Sequence, residues 1–387
     1  MKSIQTALVI FIFFILNDSN IKSTTAAETT TTTTSSPTTT VDDFAVQNEI
    51  VNRHDFNYIY NPGYEICKPV DDNKIFVVVY VHTAPGNFKR RLSIRETWSK
   101  RSMFRDMRIV FCMGATNDFK TNEMLKLEVG LYNDIVQEDF LDAYRNLTYK
   151  GIMAMKWLST YCNNTKYILK VDDDIITNIF ILLRHLKSLD EHNLIKPKTV
   201  MCLVWVGMVV MRDKNSKWYL SKDEFKDDVY GKYCSGSAYI LTGDLPPSMY
   251  DTSWHIKFFW VDDYYITGLL ARGVNVTYEF FNSLYIISSN LVDQRFTGKQ
   301  SDHTVFGHIP NSLNKMYELW NFILKHQLME HPNLFKTQTS LLSNNDFKYL
   351  KDFKWKYEIW DKFIKKPKSL DEMFDEDGVF ENGLVMS

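Results

Sequence analysis

Between residues 74 and 189, short apolar runs alternate with longer segments of helical spacing. Residues 74–81 and 167–171 read as buried strands, rich in β-branched and aromatic side chains. Residues 108–113 read as another strand, and Ile135 with Val136 as a short one. The segments between them, 87–100 with Asn87 as N-cap, 119–130, 143–161 and 176–189, read as helices. Strands and helices alternating in this way specify βαβ units and a mostly parallel sheet, so the predicted class is α/β. Shorter strands follow at 200–211 and 238–241, then a helix over 264–272.

The N-terminal residues are not part of that pattern. Lys2 precedes an apolar run over residues 7–16, the length of a signal-peptide core. Extending it to 4–21 approaches a membrane-spanning length but takes in Gln5, Thr6, Asn17 and Asp18. A cleaved signal and a signal-anchor are both open, and both deliver the chain to the secretory lumen. Residues 1–22 are therefore assigned to a short tail and signal-anchor or signal peptide, and 23–56 to a Thr-rich stalk. A catalytic domain is expected over 57–325 and a C-terminal appendage over 326–387. Sequons at Asn146, Asn163 and Asn275 agree with a lumenal address. With 45 Lys and Arg against 47 Asp and Glu, the chain has no basic excess, and no nucleic-acid partner is expected. Five cysteines are too few for a disulfide scaffold and leave at least one unpaired; Cys162 and Cys234 are candidate disulfide members with unassigned partners.

The 167–171 strand runs directly into Asp172, Asp173 and Asp174. In open α/β sheets, ligands bind beyond the C-terminal ends of the strands. Residues 172 and 174 share a side in extended geometry. Two carboxylates so placed can hold a hard divalent ion against a diphosphate. An acidic turn or helix start would also accommodate them, but the buried strand before them favours a site.

Several ordered blocks then resemble the β-1,3-galactosyltransferase and β-1,3-N-acetylglucosaminyltransferase group, glycosyltransferase family 31. The block from Arg91 to Trp98 resembles R-x-x-I-R-x-T-W, and that from Glu138 to Thr148 resembles E-D-F-x-D-x-Y-x-N-L-T. Lys170 to Asp174 is similar to K-x-D-x-D, Lys217 to Tyr219 to K-W-Y, and Tyr233 to Tyr239 to Y-C-S-G-x-x-Y. Val261 to Gly268 resembles the E-D-V-Y-x-x-G block, with Asp262 for the usual Glu and Tyr264 for the usual Val. His308, twelve residues before Trp320, is similar to a late histidine of the family.

The resemblance implies a GT-A type fold, a single catalytic domain with a Rossmann-like sheet that binds a UDP-sugar with Mn²⁺. It implies a single-pass type II Golgi membrane protein; secretion after signal cleavage is the alternative. It also implies inverting transfer that builds a β1,3 linkage on a glycan acceptor of a glycoprotein or glycolipid. Asp174 is then the direct metal ligand and His308 completes the coordination, with His303 as a rival. Asp172 serves the ribose or uracil side or the metal, and Asp173 assists either. Asp263 is the base that takes the acceptor proton. Arg91 and Arg95, four apart on one helix face, hold the nucleotide phosphates or form ion pairs within the fold. Gly236 permits close approach to the donor sugar or makes a tight turn. Lys217 and Trp218 contact donor or acceptor, and Trp98 packs in the core. Galactose is the expected sugar. N-acetylglucosamine transfer and a catalytically inactive lumenal glycan-binding module are the alternatives, while a metal-dependent hydrolase would need a denser His/Asp cluster.

Overall fold

Consecutive residues of a strand point to opposite sides, and the Val77–His82 run uses both. Val77, Val79 and Val81 pack into one apolar layer, Val78 and Tyr80 into another. Such a run demands cover on both faces, which helices supply in a parallel sheet. In this computed structural model the described residues are 43–68, 75–104, 106–298, 301–310 and 312–330. The expected signal-anchor, most of the Thr-rich stalk and nearly all of the C-terminal appendage lie outside them. No helix among the described residues is long and apolar enough to cross a membrane.

The strands, in chain order, are β1 (Tyr58–Tyr60), β2 (Val77–His82), β3 (Met107–Ala115), β4 (Ile135–Leu141), β5 (Tyr167–Asp172), β6 (Ile175–Thr177), β7 (Thr199–Trp205), β8 (Tyr233–Thr242), β9 (Thr277–Phe280), β10 (Tyr285–Ile286) and β11 (Phe306–His308). The main sheet is eight-stranded in the order β1-β4-β3-β2-β5-β8-β7-β9. Its centre, β4-β3-β2-β5, is parallel, and β8 joins β5 antiparallel. A small second sheet, β10-β11-β6, flanks it. One face is covered by the helices Leu147–Tyr161 and Leu245–Ser253 and the helical stretch 262–273. The other is covered by Phe88–Glu96, Phe119–Tyr132, Ile179–Glu191 and Leu313–Glu330. This is the expected α/β arrangement of a mostly parallel, helix-flanked sheet, and Trp98 is fully buried within it.

Several local expectations change. Asn87 precedes the Phe88–Glu96 helix but does not cap it with its side chain, which donates to Asp173 Oδ2 instead. The helix expected over 176–189 begins at Ile179, capped by Asn178, because Ile175–Thr177 pairs with the sequence-remote β11. The strand expected over 200–211 stops at Trp205, where its partner β8 begins at Tyr233. The stretch expected over 264–272 starts at Asp262 and contains a π-helical turn, Tyr265–Leu270. Disulfides join Cys67 to Cys162 and Cys202 to Cys234, leaving Cys112 free and buried.

Candidate active site

From β2 the chain steps outward through β3 and β4, then returns to place β5 on the other side of β2. That reversal opens a crevice at the C-terminal strand ends, where His82 of β2 stands in register with Asp172 of β5. The loop after β2 is held there by Lys150, whose buried ammonium donates to the Thr83 carbonyl at 2.7 Å and pairs with Asp142 at 3.0 Å.

The three acids take three different partners. Asp172 accepts from Lys170 Nζ at 2.6 Å, and the same ammonium donates to the Gly236 carbonyl. Its carboxylate lies deep in the molecule but open to the crevice, 40% exposed. Burial outweighs Lys170 and pushes its pKa up to about 6. Asp173 is buried and accepts from Thr83 Oγ1 at 2.6 Å, Asn87 Nδ2 at 2.8 Å and Arg90 Nη1 at 2.8 Å. Asp174 faces His308 Nε2 at 3.4 Å and Arg90 Nη1 at 3.4 Å. Burial would raise it, but His308 and Arg90 hold its carboxyl below the usual range. Asp174 in turn raises the His308 imidazole.

His308 arrives through the small sheet, where β11 sets it opposite Ile175 and the Ile309 amide donates to the Asp174 carbonyl at 2.8 Å. His303 is exposed on a 3-10 turn. Asp174 and His308 thus form a carboxylate–imidazole pair, a donor set that a divalent ion can accept. Asp172 gives Oδ1 to Lys170. Among the described residues, no group of three or more His, Cys, Asp or Glu side chains forms a ready metal cage. A cavity of about 360 Å³ lies beside the run, lined by Asn87, Arg90, Ser93, Asp173, Asp174 and Met316 among others.

Asp262 and Asp263 enter on the helical stretch 262–273. Burial raises both carboxyls, and the neighbouring Asp262 charge raises Asp263 further. Asp263 Oδ1 accepts from the Tyr264 amide at 2.8 Å, and the Asp263 carbonyl accepts from Thr267 Oγ1 at 2.5 Å. Thr267 Oγ1 also accepts from the Cys234 amide of β8 at 2.9 Å, so sheet and helix are tied at this point. A π-helical turn beside such a residue recurs at functional sites. Gly236 lies within β8, in no tight turn, and its close neighbour is Asp263. A side chain at 236 would bring its Cβ to 3.1 Å from Asp263 Cβ.

Arg91 and Arg95 are placed elsewhere. Arg91 is fully buried and pairs with Glu128 at 2.7 Å, while also donating to the Ala84 and Pro85 carbonyls. Arg95 pairs with Glu128 at 2.6 Å and Asp134 at 2.7 Å, its guanidinium over the Phe111 and Tyr132 rings. Both guanidiniums are thus engaged in ion pairs within the fold, and Arg91 Nη1 also donates to Thr83 Oγ1 at 3.4 Å. Arg90, which the motif spacing did not single out, is the arginine at the acids; only its position one residue off the Arg91/Arg95 face could have signalled it. Lys150 and His82 were missed likewise, because buried cations and imidazoles carry no periodic signature; Lys170 stood in the acidic block but without a role.

Trp218 and Lys217 lie in the loop between β7 and β8. Trp218 is 48% exposed and the Lys217 ammonium sits over its ring at 4.4 Å. The same ammonium lies 5.7 Å from the centre of the Tyr144 ring, and that ring lies 6.2 Å from Trp260, two residues before Asp262. The loop thus contributes an aromatic wall on the Asp263 side of the crevice.

Comparison with known proteins identifies the family. The family model described as Galactosyltransferase matches residues 89–281. Beta-1,3-galactosyltransferase 1 of Homo sapiens is 33% identical over 245 residues, 62% of this chain and 71% of that protein. Beta-1,3-galactosyltransferase 2 of Mus musculus is 32% identical over 230 residues, 57% of this chain and 52% of that one. Lactosylceramide 1,3-N-acetyl-beta-D-glucosaminyltransferase of Homo sapiens is 31% identical over 235 residues, 57% of this chain and 59% of that protein. With a mostly parallel sheet, an acid run at its switch point and this coverage of its relatives, the chain belongs to the galactosyltransferase family, glycosyltransferase family 31, and is a hexosyltransferase.

Proposed function

We propose that this protein is an inverting UDP-galactose:glycan β-1,3-galactosyltransferase with Asp263 as its base. The observation that carries the reading is the crowding of Asp262 and Asp263 beside the acid run, which makes Asp263 more basic than an ordinary carboxylate. The donor diphosphate belongs on the Asp174 side, next to the cavity lined by Asn87 and Arg90. The acceptor belongs on the Asp263 side, against Trp218 and Tyr144, whose faces suit a sugar ring. Asp263 takes the proton of the acceptor hydroxyl as that oxygen bonds to the anomeric carbon. The bond from that carbon to the diphosphate breaks on the opposite face, which inverts the configuration.

Asp174 and His308 are the residues that would hold Mn²⁺, which when bound neutralises charge on the departing diphosphate. Lys170 fixes Asp172, which is left to meet the ribose or uracil side, and Arg90 adds a cation to the same wall. The galactose assignment follows two of the relatives named above; transfer of N-acetylglucosamine is the alternative within the family. Retention of both acidic groups, Asp172 to Asp174 and Asp262 with Asp263, favours an enzyme over an inactive glycan-binding module.

We assign the protein to the Golgi membrane as a single-pass type II protein, on the apolar run at residues 7–16 and the Thr-rich tract after it. Among the sequons, Asn163 and Asn275 are exposed, whereas Asn146 spends its amide on the Leu141 carbonyl. The functional test is a donor screen with the full chain, Mn²⁺, an acceptor panel and single UDP-sugars. Galactose transfer is expected. UDP release without glycan product would mean hydrolysis, and glycan binding without turnover would mean a binding module.

A further inference from the structure

His82 has no part in the roles assigned so far, yet it stands at the centre of the crevice floor. Its side chain is 3% exposed, and both ring nitrogens are buried without a hydrogen-bond partner among the described residues. Native proteins rarely leave such atoms unsatisfied, and those that remain mark places where function compensates. Its backbone is fixed, pairing with Cys112 on β3 and Asp172 on β5, and its carbonyl accepts from the Asp173 amide at 3.1 Å. The Tyr80 ring lies 5.6 Å from its own, and the bare Gly151 of the Leu147–Tyr161 helix leaves it room. The anion that faces it is Asp262, whose Oδ2 is 4.0 Å from His82 Nδ1. Burial, with Lys170 and Lys150 nearby, keeps the imidazole neutral, so it carries one N–H.

We propose that His82 is a positioning residue for the carboxylate pair: its Nδ1–H donates to Asp262 across that gap, so that the acceptor proton is taken by Asp263 and not shared with its neighbour. This rests on the reading of Asp263 as base. A neutral donor on Asp262 stabilises the ionised form of that carboxylate, and an ionised Asp262 is what makes Asp263 the better proton acceptor. Catalytic hydrogen bonds are often long before substrate binds and tighten in the complex.

Two readouts on the full chain test it. With ¹⁵N-labelled histidine, the His82 imidazole, assigned by its disappearance in His82→Asn, is expected as the Nδ1–H tautomer, and its resonance should move in Asp262→Asn. An Nε2–H tautomer indifferent to Asp262→Asn overturns the proposal. In turnover, His82→Leu is expected to lower kcat roughly tenfold or more with UDP affinity unchanged, as loss of a hydrogen bond to a charged group does. His82→Asn, which keeps an N–H in that direction, should recover most of the loss. Equal loss in both variants, or wild-type kcat in both, overturns it. If wild type transfers sugar from no donor, the functional reading fails, while the tautomer still decides the contact between His82 and Asp262.

Discussion

The Phe88–Glu96 helix carries arginines into two charged clusters. Arg91 and Arg95 meet Glu128 and Asp134 in a closed, buried group, where each guanidinium has carboxylates against it. Arg90, one residue away, meets Asp173 and Asp174 at the edge of a cavity. In the first cluster opposite charges are matched and water is excluded. In the second, acids outnumber cations, carboxyls are pushed up as well as down, and a buried imidazole has no hydrogen-bond partner among the described residues. A matched, buried cluster stabilises a fold. An unmatched one beside an opening holds its groups in readiness for charge that arrives with substrate.

That contrast can be broken or sharpened. The largest effect is expected from chelation: EDTA should stop turnover, and added Mn²⁺ should restore it. Turnover unaffected by EDTA would remove the metal role of Asp174 and His308. Next, Arg95→Leu should lower stability by about 3–5 kcal/mol, because it leaves buried carboxylates uncompensated. Measured by urea unfolding, that loss should leave the UDP affinity of the folded protein unchanged. Arg90→Leu should do the reverse. Its stability loss is the smaller, since the side chain is 30% exposed, and calorimetry should show tighter Mn²⁺ binding once Asp174 loses its competing cation.

The pH profile comes third. Asp263 must be ionised to act as a base, and its carboxyl is raised, so kcat/KM should fall as pH drops, starting well above the ordinary carboxylate range of about 4. Asp262→Asn removes the adjacent like charge and should move that acid limb to lower pH. The smallest effect is on stability. A carboxyl raised in the folded state destabilises that state above its unfolded pKa, so Asp262→Asn should stabilise at pH 7.5 by about 1 kcal/mol, roughly 2–4 °C in Tm.

The comparison also shows what the sequence could disclose. β2 and β5 were legible because a run of apolar residues with cover on both sides has few other solutions, and the acid run was legible because it ends such a strand. The same pattern reading left Arg91 and Arg95 open between phosphates and ion pairs, because a shared helix face says nothing about which way that face turns; the ion-pair partners, Glu128 and Asp134, lie more than thirty residues on. Asn87 fits a cap by type and position, but Asp173 competes for its side chain from 86 residues away. β6 was read as a helix start because its partner β11 is remote in the chain. Local rules recovered elements whose reasons are local. Partners brought together by the sheet, the disulfides included, needed the fold.

The most direct test is Asp263→Asn, measured for transfer and for UDP binding in the same preparation of the full chain. Under the proposed function, the unmatched cluster divides into a donor side at Asp174 and an acceptor side at Asp263. Transfer should therefore fall by roughly 10²–10⁴-fold, the range a positioned base contributes, while the dissociation constant for UDP with Mn²⁺ stays as in wild type. Retained transfer, or parallel loss of transfer and UDP binding in a variant that melts like wild type, would contradict the account.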